Sequence, residues 1–307
     1  MFGWGDTFDY FKCKECGCLQ ISDIPADLKR YYPSDYYSLS IKPPTEISGL
    51  ARRLNWHRLQ YRLSGADAVW EMLAWRINNL SPSVAQVLPY LKPLTNTGKN
   101  LRFLDVGCGE HSEWLGALAQ CGYKRLTGND PYLLHPGKRG GIFYSNAPLE
   151  TLEGEFDLIT LHHSLEHIPD QHGTMLQLQR LLAPNGLCLV RIPLVDSQVW
   201  EDYGLDWVEL DAPRHLYLHT KKSFAQMCAS AGFSVDHILF DSTEFEFAGS
   251  AQYRAGISLT APNSFWGNPN QDIFTEAQMQ SFRAMANTAN LTGKGGRAAF
   301  YLRKKDA

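Results

Sequence analysis

The chain has 307 residues, 44% of them hydrophobic and 20% charged, with a formal net charge of −3. This is the composition of a soluble globular chain with room for one large domain and appendages, or for two domains. It lacks the strongly basic balance of a nucleic-acid binder, and no apolar run approaches the roughly 18 residues that span a membrane. The first residues, MFGWGDTFDYF, show no basic stretch followed by an apolar core, so no secretory signal is expected and a cytoplasmic location is. Cys108, Cys121, Cys188 and Cys228 are scattered through apparent strands and helices, where free thiols behave as small core hydrophobes.

Residues 1–40 stand apart. They carry a CxxCxC cluster (Cys13, Cys16, Cys18) and a tyrosine-rich tail, RYYPSDYYSL. Cys13-Lys-Glu-Cys16-Gly17 has the form of a zinc knuckle, in which a tight turn aims two thiolates at one metal. A structural zinc takes four ligands. No second CxxC and no histidine pair at finger spacing follows, so a site built on Cys13 and Cys16 is incomplete and zinc is not expected. Residues 41–98 read as helical. SGLARRLNWHRLQYRL and ADAVWEMLAWRINNL repeat apolar residues at helical spacing, and SPSVAQVLPYL starts with a cap followed by proline.

From 99 to the end the chain alternates strand and helix, the pattern of a parallel sheet with covering helices. Strands are expected near 101–106, 125–129, 141–145, 156–162, 187–192 and 234–240, with helices near 112–121, 171–182 and 221–231. Thr220 and Gly232 frame the last of these as N-cap and C-cap. Residues 244–296 are expected to form a polar, at first irregular insertion with one helix near 275–289, and RAAFYLRK closes the sheet as a final strand. The stretch Leu101–His111, LRFLDVGCGEH, organises this region. Leu101, Phe103, Leu104 and Val106 form a buried strand that breaks at Gly107 and Gly109, residues that let the backbone turn sharply and a ligand approach closely. Alone, this turn suits any nucleotide.

Four pieces in order resemble a family: LDVGCGEH, NDP at Asn129–Pro131, YSNAPLETL at Tyr144–Leu152 and FDLITLHHSLEHIPD at Phe156–Asp170, and LAPNG at Leu182–Gly186 resembles its turn into the fifth strand. Together they resemble class I S-adenosylmethionine (SAM) dependent methyltransferases, and the half-ribbon with its tyrosines resembles a segment that precedes some sugar-type members. His111 departs from the pattern, standing where the family mostly has glycine. The resemblance implies an α/β Rossmann-like, doubly wound, seven-stranded sheet with the last strand antiparallel and helices on both faces.

It also implies receptors for each part of SAM. The cofactor's amino-acid end suits the backbone of Gly107, Cys108 and Gly109, with Asp105 orienting the turn and His111 beside it. Asp130, followed by Pro131, suits the ribose hydroxyls, and Asn146 and Ala147 suit the adenine. His162 would face the methionine end or the sulfonium. Methyl transfer to oxygen needs a general base. The candidates are His163, His167, His215 and His219; His215, within DAPRHLYLHT, is the first choice, with Arg214 and Asp211 alongside it, and His163 is the second. The expected partner is a small molecule, a sugar or nucleotide-linked sugar by resemblance, and no nucleic acid or membrane. Methylation of another metabolite at nitrogen or carbon, and a non-catalytic SAM-binding assembly module, are the alternatives. The tyrosines and Trp200 and Trp207 would suit stacking on a sugar ring or would simply pack in the core.

Overall fold

The structure, a computed structural model, describes residues 5–32, 47–64, 82–94, 97–266 and 273–305. The helix expected at ADAVWEMLAWRINNL, and Tyr36 and Tyr37, lie outside the described residues. In chain order the strands are β1 (Tyr10–Lys12), β2 (Leu19–Ile21), β3 (Arg102–Val106), β4 (Arg125–Asn129), β5 (Gly137–Arg139) and β6 (Ile142–Ser145). They continue with β7 (Phe156–His162), β8 (Leu182–Pro193), β9 (Tyr217–Leu218), β10 (Phe233–Phe240) and β11 (Arg297–Lys304). Eight of them form one mixed sheet in the order β10-β11-β8-β7-β3-β4-β6-β5, and β1-β2-β9 form a small second sheet.

The expectation of seven strands is corrected to eight. The extra strand is β5, inside HPGKRGG, which reads as a loop. Gly140 and Gly141, with φ of 57° and 85°, let the chain reverse there, and β5 pairs antiparallel with β6. The final strand β11 sits between β10 and β8. The irregular start expected after 244 is also corrected, because Glu244–Arg254 is a helix. Its buried residues mix Phe247 and Ala248 with Glu246, Gly249, Ser250 and Gln252, so the apolar period is broken by polar residues.

The described chain divides into two compact units. One comprises Ser34–His162, His172–Leu189 and Leu302–Ala307. Its strands β3, β4, β6 and β7 pair in parallel, which explains their near-continuous apolar runs. Phe103 and Leu104 on β3, Leu158 and Ile159 on β7, and Leu115 and Leu118 of helix Glu113–Gln120 are buried. Each such side chain contributes roughly 1.5–3 kcal/mol by leaving water.

The other unit comprises Met1–Pro33, His163–Gln171 and Val190–Tyr301. Its core gathers Leu19, Val195, Val199, Trp207, Leu218 and Phe247, with Trp200 partly buried against them. Trp207 is thus a core residue with no exposed face for a sugar ring. Pairing of Leu19 with Leu218 ties the cysteine-bearing hairpin β1-β2 to β9. Arg297, at the start of β11, places its Nε 2.6 Å from Oε1 of the fully buried Glu246, and Glu209 lies 3.8 Å from the same guanidinium.

Candidate active site

The glycine turn follows β3 directly. Gly107 and Gly109 have φ of 73° and 59°, conformations that side chains disfavour. Ser112 caps the following helix by accepting from the Leu115 amide at 3.0 Å, and its hydroxyl donates to Asp105 Oδ2 at 2.7 Å. Thr160 of β7 donates to the other oxygen of Asp105 at 2.7 Å. Asp105 is therefore engaged on both oxygens in tying strand, turn and helix together. Burial raises its carboxyl to about 6; the Ser112 and Thr160 hydroxyls oppose that shift.

Asp130 ends β4 and holds the turn from the far side. Its Oδ2 accepts from the Gly109 amide at 3.0 Å and its Oδ1 from the Tyr132 amide at 2.9 Å. Burial also raises this carboxyl, against the pull of those two amides. Asn146 is exposed and donates to the Leu133 carbonyl at 3.4 Å; Ala147 receives a hydrogen bond at its carbonyl from Asn129, at 2.9 Å. His162 ends β7, its ring edge-on to Tyr90 (5.3 Å) and Trp114 (5.7 Å). The Trp114 indole N–H is buried without a hydrogen-bond partner among the described residues. His111, partly buried, lies just before the capping Ser112, and Cys108 is buried against β4. A Cβ on Gly128 would stand 2.7 Å from the Cys108 sulfur. Asp105, Gly107, Cys108, Gly109, His111, Asp130 and Pro131 thus gather at the carboxyl ends of β3 and β4.

Two residues of this turn escaped the sequence reading. Glu110 is buried and accepts from the amides of Leu134 and His135, while Arg139 approaches its Oε2 at 3.4 Å. Buried Asn129 donates to the Ser145 and Ala147 carbonyls. A charged residue inside a glycine turn was the available signal for Glu110. Asn129 had none, since its partners lie 16 and 18 residues away.

The second group lies wholly in the unit that contains the N-terminal hairpin. His163 adopts φ of 51°, an uncommon conformation for a non-glycine residue, and its amide donates to the Arg191 carbonyl at 2.9 Å. A short 3-10 turn, Leu165–His167, then brings Glu166 and His167 beside His215. The His167 and His215 rings meet edge-on with centroids 4.7 Å apart. His167 Nδ1 lies 2.9 Å from the Arg214 carbonyl and 3.1 Å from the Tyr32 hydroxyl. His215 Nδ1 lies 2.6 Å from the Glu209 carbonyl. A carbonyl only accepts, so each Nδ1 carries a proton, and His215 Nε2 stands 3.9 Å from Asp211 Oδ2.

Burial, and then the neighbouring His215, lower His167 to about 3, so it is neutral. Glu166 is buried and neither of its oxygens has a hydrogen-bond partner among the described residues; His163 Nδ1 stands 3.4 Å from Oε1. Burial raises Glu166 well above the ordinary carboxylate range. Asp211, at φ 38°, grips Arg214 through two oxygens, one bond being 3.0 Å from Nε. Burial alone would raise Asp211, but Arg214 and then His215 hold it below its ordinary value. The sequence reading singled out His163, His167, Asp211, Arg214 and His215; the structure adds Glu166 and Tyr32 around them.

Cys13 and Cys16 sit in the β1–β2 turn, where Gly17, at φ 77°, donates its amide to the Cys13 carbonyl at 2.9 Å. Amides of Cys16 and Glu15 hold the Cys13 thiol below its ordinary value. Cys18 points into the core, and burial pushes it up to about 12. Among the described residues, no group of three metal-ligating side chains includes these cysteines.

The sequence model of a methyltransferase-domain family matches residues 72–238. The ubiquinone biosynthesis O-methyltransferase of Psychrobacter arcticus is 29% identical over 163 residues, 45% of this chain and 61% of that enzyme. The chain thus spans about three fifths of the length of that curated relative. Among solved structures, an S-adenosylmethionine dependent methyltransferase from Mesorhizobium loti is 15% identical at a TM-score of 0.43, covering 71% of this chain and 98% of that one. Phosphoethanolamine N-methyltransferase 2 of Haemonchus contortus, solved with S-adenosyl-L-methionine, is 18% identical at a TM-score of 0.45, covering 86% and 62%.

Proposed function

The chain belongs to the methyltransferase-domain family, and from that premise we propose that it transfers a methyl group from S-adenosylmethionine to a hydroxyl of a small molecule. The observation that carries the choice of oxygen is His215, whose Nδ1 is tied to the Glu209 carbonyl and whose ring lies beside His167 and the buried Glu166. An oxygen nucleophile must lose its proton, and a neutral imidazole accepts one near neutral pH. A sugar or nucleotide-linked sugar is the acceptor class we retain, on the resemblance of the half-ribbon and tyrosine-rich segment. Bound SAM would supply an electrophilic methyl group.

The residues of the glycine turn fit that cofactor. The amides of Gly107, Cys108 and Gly109 already donate to the Asn129 carbonyl and to Asp130, so the turn offers the cofactor close approach rather than donors; the capped helix suits its carboxylate, and the outer lone pairs of Asp130 suit its ribose. The unpartnered Trp114 N–H offers a donor. His111 lies beside the amino-acid end, and Asn146 and Ala147 meet the adenine. In this reading His215 is the base or substrate clamp, and His163 orients Glu166.

Thermal unfolding with SAM and with S-adenosylhomocysteine tests the cofactor: a rise in midpoint with both is expected, and none with either at concentrations well above micromolar argues for a non-catalytic module. Labelled SAM offered to a panel of nucleotide sugars and phenols tests the acceptor class. His215→Ala should lower turnover by about 10²–10⁴, and unchanged turnover removes His215 from this role.

A further inference from the structure

We infer that Glu166, His167 and His215 form a binding site for one divalent cation of the zinc class. The inference deepens the reading of this residue group as the one serving the methyl acceptor, but rests on geometry that holds whatever the acceptor is.

One ligand atom from each of the three residues lies within 4.8 Å of those from the other two. Both imidazoles are already set for coordination. His215 directs Nδ1 to the Glu209 carbonyl, and His167 directs Nδ1 to the Arg214 carbonyl. Metal-bound histidines are oriented in this way, the remote N–H being held by a carbonyl so that the other nitrogen keeps its lone pair for the metal. Tyr32, 3.1 Å from His167 Nδ1, adds a second brace to that ring.

The third ligand carries the independent observation. Glu166 has 1% of its surface exposed, and neither carboxylate oxygen has a hydrogen-bond partner among the described residues. His163 Nδ1 stands 3.4 Å from Oε1 without making a hydrogen bond, and a carboxyl group is costly to bury in that state. A cation held between it and the two imidazoles answers that cost. Its own backbone is pinned, since the Glu166 carbonyl accepts from the Leu216 amide at 2.8 Å, beside His215. Two imidazole nitrogens and one carboxylate oxygen are a donor set for zinc and its first-row neighbours rather than for magnesium or calcium, which prefer oxygen. Three protein ligands leave one position of a tetrahedral cation for an oxygen donor, and a hydroxyl bound there becomes more acidic. With the cation bound, His215 acts as a ligand, and the acceptor proton is lost from the coordinated hydroxyl to solvent.

The test uses the full chain, stripped with a chelator and titrated with Co²⁺ and Zn²⁺ in the absence of SAM and acceptor. Expected are one equivalent bound, a visible ligand-field spectrum with Co²⁺ that lacks a thiolate charge-transfer band, and a higher melting temperature. Glu166→Gln and His215→Ala should each weaken binding at least 100-fold, and Tyr32→Phe about tenfold. The double variant C13S/C16S should bind as the parent does. Variant folding is checked by melting without metal; if His215→Ala melts early, Glu166→Gln, which conserves shape, decides. No binding at millimolar metal, binding unaffected by Glu166→Gln, or binding lost in C13S/C16S would each overturn the site. These outcomes leave the SAM titration untouched, so failure here is separable from failure of the methyltransferase reading.

Discussion

Ser112 donates to Asp105 at 2.7 Å while its own oxygen caps the next helix, so one hydroxyl joins the end of β3 to the start of helix Glu113–Gln120. Asp105 in turn accepts a second hydrogen bond from Thr160 on β7. Thr160→Val keeps the shape of the side chain but leaves one carboxyl oxygen unmatched in the core. The expected loss is about 1–3 kcal/mol of unfolding free energy, read by denaturant titration. A change within error would show that the Ser112 bond alone satisfies Asp105.

The pH dependence of stability should contain two opposed slopes. Asp105 is raised from 3.8 to about 6, so between those values the folded state holds a proton that the unfolded state has released. Its contribution is complete below about pH 4 and is lost as pH rises to 6. Buried His219 is bonded to Gln171 Oε1 at 2.8 Å and to Ser223 Oγ at 2.9 Å, and burial lowers it from 6.5 to about 4. There the unfolded state takes the proton first, so stability is lost as pH falls from 6.5 to 4. Each contribution is on the order of 3 kcal/mol. Asp105→Asn should leave a variant that weakens more steeply in acid than the parent, and His219→Asn one that weakens less. Parallel profiles for the two variants would refute the assignment.

Asp130 holds the Gly109 amide, so its role toward the cofactor is partly indirect. Asp130→Asn retains one acceptor oxygen in place of two and should raise the SAM dissociation constant about tenfold, the effect of one lost hydrogen bond. Equilibrium dialysis with labelled SAM measures it. His111→Gly in the same assay reports on the family departure, and an unaltered constant would show its imidazole to be a bystander.

Two glycines should respond in opposite directions to alanine. A Cβ on Gly296 would run into Glu246 Oε2 and lie 2.6 Å from Val199, against the carboxylate that pairs with Arg297 through its other oxygen. Gly296→Ala should cost about 1–3 kcal/mol. Gly116 lies within a helix with nothing within 4 Å of the added carbon, and Gly116→Ala should stabilise by about 0.5–1 kcal/mol. Thermal melts of both variants decide the matter.

What was legible in the sequence was local. LRFLDVGCGEH announced a strand and a turn because its apolar run and its glycines are consecutive, and FDLITLH likewise. Asp130 could be located by counting from Gly109. What escaped depends on distant parts of the chain meeting. His167 could be named as a candidate base, but its meeting with Glu166 and His215 spans nearly fifty intervening residues. The helix Glu244–Arg254 reads as loop because Glu246, Ser250 and Gln252 interrupt the buried Phe247 and Ala248 on its inward face. The pairing of Arg297 with Glu246 has no sequence period at all. Strand β5 is three residues between glycines, too short for an alternation to register.

The Tyr10 hydroxyl donates to the His215 carbonyl across 205 residues of chain, and Cys16 and Thr220 are joined over nearly the same span. During synthesis at about 5–20 residues per second, the first thirty residues would wait on the order of 10–40 s for the segment that completes their sheet. The N-terminal hairpin is therefore an early product with a late partner. Until residue 218 emerges, β2 presents an unpaired edge to the cell, so chaperone capture of ribosome-bound chains should fall once that length is passed.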